Sequence, residues 1–321
     1  SQGVSFAFYM VPFLLLKARI MFKKAAFTTK EQLQKLKDRG LLFSNESIAL
    51  KYLSHISYYR LGEYWYVMQE DKVQHIFKPN SKFDDVIALY NFDAELRLLL
   101  FDVIEKIEIS LRTKLIYHLS HEIDPWWFQN FDLFSDSMAL TKTLSNLQGE
   151  LERSKDITIK SHFKNHKDDK RFPPAWKSLE QTSFGVLSKL YGNLKSTVKA
   201  KDTIAKEFGA VNHTFLPSWL QSIAQIRNFC AHHSRLWNRN IPNTVKLLSK
   251  PPNPWIVDKE NVPKQFNKLY VHMCLMKYML NEIQPNNLFT TRLDALFNKY
   301  PNVDPNALDM KPNWQQEPLW K

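Results

Sequence analysis

The chain has 321 residues, 44% hydrophobic and 13% aromatic, enough core material for one large domain or two small ones and too much for a disordered chain. Its net charge of +12 and pI ≈ 9.4 favour a polyanionic partner, nucleic acid ahead of an acidic membrane surface. The seven glycines never fall as G-x-G, which argues against dinucleotide-binding and P-loop chemistry. Cys230 and Cys274 cannot build a thiolate zinc site, a redox CxxC or a disulfide framework, and two free thiols suit a reducing cytosol, so a cytoplasmic location is expected.

In chain order, Val4 to Leu16 is an apolar run interrupted by Pro12, too short to span a bilayer and without the flanks of a signal peptide. It reads as a packed N-terminal helix or as an extension over residues 1–20, with a membrane-surface anchor as the competing reading; no stable membrane insertion is expected. An N-terminal helical unit follows over 21–78. There Thr29-x-x-Gln32 reads as a capping box, Gly40 as a helix-ending glycine and Asn45 as the cap of a second helix with Ile48, Tyr52, Leu53 and Ile56 on its apolar face. Tyr58, Tyr59, Tyr64 and Trp65 form an aromatic cluster that fits either a core wedge or a base-stacking platform.

A helical core is expected over 79–245. Residues 83–119 carry no Gly or Pro and predict a helix of roughly 55 Å. Its apolar residues nearly encircle it, which marks it as central. One polar stripe survives, Asp102, Glu105, Glu108 and Arg112, either an internal ion-pair ladder or a wall of an active site. A helix is predicted at 137–153, then a Lys-rich polar segment in which His162 and His166 stand four apart; with no third ligand nearby they read as a solvated face. Helices at 175–191 and from Pro217 onward come next. The C-terminal extension, 246–321, carries helices at about 259–283 and 288–299. The fold class is all-α.

The densest polar pattern is QSIAQIRNFCAHHSRLWNR, 221–239. On a helical wheel Gln221, Gln225, Asn228, His232, Arg235 and Arg239 share one face, Arg227 lies at its edge, and His233 falls on the apolar side as a core histidine. No acid occurs between Glu207 and Asp258, so this face is locally basic. A further basic run holds Lys189, Lys195, Lys199 and Lys201. Histidine can move a proton near neutral pH, and arginine can pair with a phosphate and stabilise charge growing on it, which suits phosphodiester chemistry. The alternative is a solvated polar face.

Arg227-Asn228-x-x-x-His232 matches the R-x4–6-H signature of the HEPN superfamily. With it, TTKEQLQKLKDRGLLF (28–43), SHISYYRLGEYW (54–65), LYNFDAELRLLLFDVIEKIEISLRTKL (89–115), PPAWKSLEQTSFGVLSKLY (173–191) and SWLQSIAQIRNFCAHHSRLWNR (218–239) closely resemble the bacterial Abi-like family of AbiD/AbiF type, abortive-infection proteins of phage defence. The resemblance implies a HEPN-type helical bundle and a homodimer in which two motifs face each other. It implies a metal-independent endoribonuclease needing no cofactor, and a small structured non-coding RNA as partner. Arg227 would stabilise phosphate charge, Asn228 orient the phosphate and His232 transfer the proton. Arg235, Arg239, Lys189, Lys195, Lys199 and Lys201 would bind RNA, with Glu105, Glu108 and Arg112 supporting the site. Arg112-x5-His118 also meets the spacing and reads as coincidence. A non-catalytic RNA-binding protein is the competing function.

Overall fold

Thr28 begins the first helix of the computed structural model, which describes residues 25–321; the apolar run at Val4–Leu16 lies outside them. The capping box sits one residue earlier than expected. Thr28 has extended backbone, its hydroxyl accepts from the Glu31 N–H at 3.3 Å, and the Glu31 carboxylate accepts from the Thr28 N–H at 2.7 Å. Gln32 instead donates to the Phe27 carbonyl at 3.0 Å. Helix α1 (Thr29–Asp38) ends before Gly40, whose φ of +90° is the left-handed geometry that favours glycine. Asn45 caps α2 (Glu46–His55) and Ser57 caps α3 (Tyr58–Trp65). Tyr64 and Trp65 are buried, with Tyr58 packed edge-on to Trp65 at 4.9 Å, so the aromatic cluster is a core wedge and Tyr59 alone among its four members stands exposed. A short hairpin, β1 (Gln69–Asp71) with β2 (Ile76–Phe77), follows; its strands are too short to show alternation. Contacts divide the chain after Phe83, five residues beyond the boundary read from the sequence.

The second unit starts one residue into α4 (Phe83–Glu122), a 40-residue helix whose Leu96, Leu100, Val103, Ile104, Ile107, Leu111, Leu115 and Leu119 are buried. After α4 come α5 (Ser137–Arg153), capped by Asp136 as its aspartate-before-helix sequence favours, and α6 (Ile157–Asn165), capped by Asp156 inside the segment read as polar connection. The helix expected at 175–191 is broken into α7 (Ala175–Ser178), a single 3-10 turn and α8 (Phe184–Asn193). Thr182 is extended at the break, and Arg112 of α4 donates to the carbonyls of Leu179 and Thr182 at 3.1 and 3.0 Å, the former also bonded by the Thr182 N–H and hydroxyl. Helix α9 (Lys199–Glu207) has no side-chain cap of its own; the Glu122 carboxylate accepts from the N–H groups of Lys199 and Ala200 instead.

Helices α10 (Leu216–Ala231), α11 (Leu269–Ile283) and α12 (Phe289–Lys299) complete the described helices. Helix α11 starts ten residues later than expected, because 259–268 forms turns around Pro263. Residues 246–321 belong to the same compact unit as α4–α10. The buried Glu317 carboxylate takes the Val257 N–H and the Asn261 amide, and Trp320 stacks on Tyr270 at 6.2 Å. The fold is all-α, and none of the described helices is long and apolar enough to cross a membrane.

Candidate nucleic-acid cleft

Helix α10 is positioned by its apolar side. Pro217 occupies the first turn, where its missing N–H costs nothing. Trp219, Leu220, Ile223, Ile226 and Cys230 are buried, α10 lies against α8 and α11, and the Trp219 indole donates to the Lys246 carbonyl at 2.7 Å. Ser222 contacts Nδ1 of the buried His272 at 2.5 Å; burial pushes His272 down to about 4. The same burial lifts the Cys230 thiol to about 12, so it stays protonated and inert.

The helix stops sooner than the wheel assumed. The Ser234 N–H donates to the Phe229 carbonyl at 2.9 Å and the His233 N–H to the Cys230 carbonyl at 3.1 Å, the paired bonds of a Schellman termination. His233 takes the left-handed position at φ +55° and is exposed, which corrects its reading as a core histidine. His232 is the C-cap, also exposed, with its N–H on the Asn228 carbonyl at 2.9 Å. Arg235 and Arg239 therefore leave the shared helical face. Arg239 folds back onto the Arg235 carbonyl at 3.0 Å and over the Phe229 ring at 4.2 Å.

Two residues of α4 that sequence reasoning passed over hold this termination in place. Asp93 is wholly buried and accepts from the N–H groups of Leu236 (3.1 Å) and Trp237 (2.7 Å). Arg97, 6% exposed, pairs with Asp93 and donates to the Ser234 carbonyl at 3.3 Å. The signal was an Asp and an Arg four apart within an apolar run, FDAELRLLL, where each charge needs a partner.

A polar cleft of about 670 Å3 opens between α5, α8 and α10. It brings Arg227 and Asn228 together with Lys189 of α8 and with Glu150, Glu152 and Arg153 of α5. The Arg227 guanidinium lies 5.9 Å from the Phe101 ring of α4, and its buried Nε has no hydrogen-bond partner among the described residues. Oε2 of Glu150 is likewise buried and unpartnered. Burial raises the Glu150 carboxyl above its ordinary range, against the pull of Arg153. Glu150 was not anticipated from sequence; its α5 was read for length alone. His232 does not line this cleft and sits one turn beyond Asn228 at the helix end.

The other candidates separate. Lys195 and Lys199 are exposed on either side of the α9 start. Lys201 is buried, its ammonium donating to the Gly192 and Leu194 carbonyls, and burial lowers its pKa; it is an internal clamp and not a surface cation. Glu108 and Arg112 pair at 2.8 Å, Asp102 bonds Lys106 and Arg292 at 2.6 and 2.7 Å, and Glu105 points to solvent. This is the ion-pair ladder. None of these residues lines the cleft, although all three of Glu105, Glu108 and Arg112 were expected to support the site. His118 turns to Glu207 at 3.0 Å, away from the partners of Arg112, so the second R-x5-H spacing builds no common site. His162 and His166 lie 4.7 Å ring to ring; no three potential metal ligands gather among the described residues.

A family model for Abi-like proteins matches residues 51–238. The chain belongs to the Abi-like family. The matched span runs from α2 to the end of the turn pinned by Asp93, so it contains the cleft and both ends of the Arg227–His232 motif. Membership gives this Abi-like chain a role in abortive infection. No curated protein and no solved structure matches it.

Proposed function

We propose that this Abi-like protein is a HEPN endoribonuclease of the AbiD/AbiF type that binds a structured RNA, a small non-coding one in its resting complex, and cuts RNA at Arg227, Asn228 and His232. The observation that carries the reading is Arg227: a buried, unpartnered Nε in a cleft that also holds Asn228, Lys189 and Arg153. A guanidinium left so is a donor awaiting an acceptor, and a phosphate oxygen suits it. In the reaction the ribose 2′-hydroxyl attacks the adjacent phosphorus, the P–O5′ bond breaks, and a 2′,3′-cyclic phosphate and a 5′-hydroxyl result. Arg227 stabilises the charge on the phosphorane oxygens, and His232 passes a proton. No step requires a metal. Lys195, Lys199, Arg235 and Arg239 supply further cations for the RNA backbone outside the cleft lining.

A single histidine cannot be proton acceptor and donor at once. A second copy supplies the other, and α4 offers the surface for it. Leu98, Phe101 and Ile109 are exposed with Glu105 on one face of α4, and Arg227 stands against Phe101, so a copy docked on this stripe meets the motif.

The test is RNA cleavage by purified protein in EDTA, with His232→Ala as control. Cyclic-phosphate ends, lost in His232→Ala at unchanged Tm, are expected. Equal cleavage by the variant, or a requirement for magnesium, sinks the metal-independent mechanism at His232. One observation favours the runner-up, a non-catalytic RNA holder: His232 lies outside the cleft in a single copy. RNA binding that survives His232→Ala with no cleavage by either protein selects it.

A further inference from the structure

We propose that the cleft between α5, α8 and α10 is a subsite for one ribonucleotide, in which Glu150 accepts a hydrogen bond from the ribose 2′-hydroxyl and so selects RNA over DNA. This rests on the RNA-binding reading above and names what that site recognises.

The charge pattern of the cleft is the starting point. Arg153, Lys189 and Arg227 suit phosphates, yet Glu150 and Glu152 share the same walls. A carboxylate beside a phosphate subsite weakens phosphate binding unless the ligand also presents a hydrogen-bond donor. Glu152 meets such a donor within the protein, the Gln148 amide at 2.8 Å. Glu150 does not: its Oε2 is buried without a partner among the described residues. Its Oε2 and the Arg227 Nε are thus an unsatisfied acceptor and an unsatisfied donor on two residues that line one cleft. A nucleotide fits both, because its phosphate accepts and its ribose hydroxyl donates only a few bonds away. The volume of about 670 Å3 holds a ligand of that size. The raised carboxyl of Glu150 has the same origin, since burial without donors disfavours the charged form. The 2′-hydroxyl is the one donor that separates RNA from DNA at such a position.

The experiment measures binding of three matched single-stranded oligonucleotides, RNA, 2′-deoxy and 2′-O-methyl, to full-length His232→Ala protein, with and without a change at Glu150. The His232→Ala background keeps the RNA intact. RNA is expected to bind at least about tenfold more tightly than either analogue, the size of one charge-assisted hydrogen bond. Glu150→Ala should bring RNA down to the DNA level and leave DNA affinity where it was. Glu150→Asp keeps the charge and withdraws the oxygen by about 1.5 Å; it should lose most of the preference even if the alanine variant folds poorly. A preference that persists in both variants, or equal weakening of RNA and DNA, overturns the role of Glu150 while leaving RNA binding standing. No RNA binding by the parent protein overturns the RNA reading itself.

Discussion

The polar stripe of α4 and the cleft beside α10 are built from the same residue types and end in opposite states. On α4 every charge of the stripe that faces protein is answered. Arg112 reaches Glu108 and two backbone carbonyls, and Asp102 holds Lys106 and Arg292. In the cleft, Arg227 and Glu150 each keep a buried polar atom without a partner. A satisfied buried network specifies packing; an unsatisfied one costs stability that only a ligand can return. The two patches are therefore separable by experiment: substitutions in one should move stability, substitutions in the other activity.

The largest effect is expected in the cleft. Arg227→Ala should reduce RNA cleavage by about 100-fold or more while Tm moves by no more than about 2 °C, since its Nε makes no native hydrogen bond. A large fall in Tm would place Arg227 with the structural patch and break the contrast.

Next in size is the anchor that joins α4 to the motif. Asp93→Ala leaves Arg97 buried without its carboxylate and frees the N–H groups of Leu236 and Trp237. A loss of about 3–5 kcal/mol in urea unfolding is expected, with protease cleavage appearing near 234–237. A loss under about 1 kcal/mol would mean that the turn holds itself.

His272 gives the pH arm. Its folded value near 4 lies below its ordinary 6.5, so the unfolded chain binds the proton first on acidification. Its neutral form therefore imposes no penalty above pH 6.5. Stability falls as pH drops from 6.5 to 4 and levels below, by on the order of 3 kcal/mol. His272→Asn should flatten that part of the pH–stability curve; an unchanged slope would show that His272 titrates normally.

The smallest is on the stripe. Arg112→Ala should cost about 2 kcal/mol, by leaving Glu108 and the Thr182 carbonyl short of a donor. RNA cleavage measured well below its Tm should match the parent. Selective loss of cleavage would return the stripe to the active site.

Much of the helical layout was legible because it is local. The stretch at 83–119 without Gly or Pro gave α4, Asn45 gave the cap of α2 and Pro217 the first turn of α10, each through contacts a few residues apart. Family signature and charge pointed to Arg227 and Asn228, and the cleft brings both to one place with Lys189. Glu150 carried no comparable signal, since its spacing to Arg227 along the chain is arbitrary and only the packing of α5 and of α10 against α8 brings them to one cleft.

What the sequence determined by itself was which segments are helical, that the chain is basic, and where the motif lies. Those follow from hydrogen bonds and side-chain periods that repeat within a turn or two. The tertiary structure decided where helices stop and which polar atoms remain open. Asp93, far away in sequence, fixes the turn at 234–237 and exposes His232 and His233; Arg112 donates to the broken turn at 179–182; the Leu194 and Gly192 carbonyls draw Lys201 inside. Each is a charge meeting backbone groups at a break or end of local structure, and such pairings exist only once distant segments have packed.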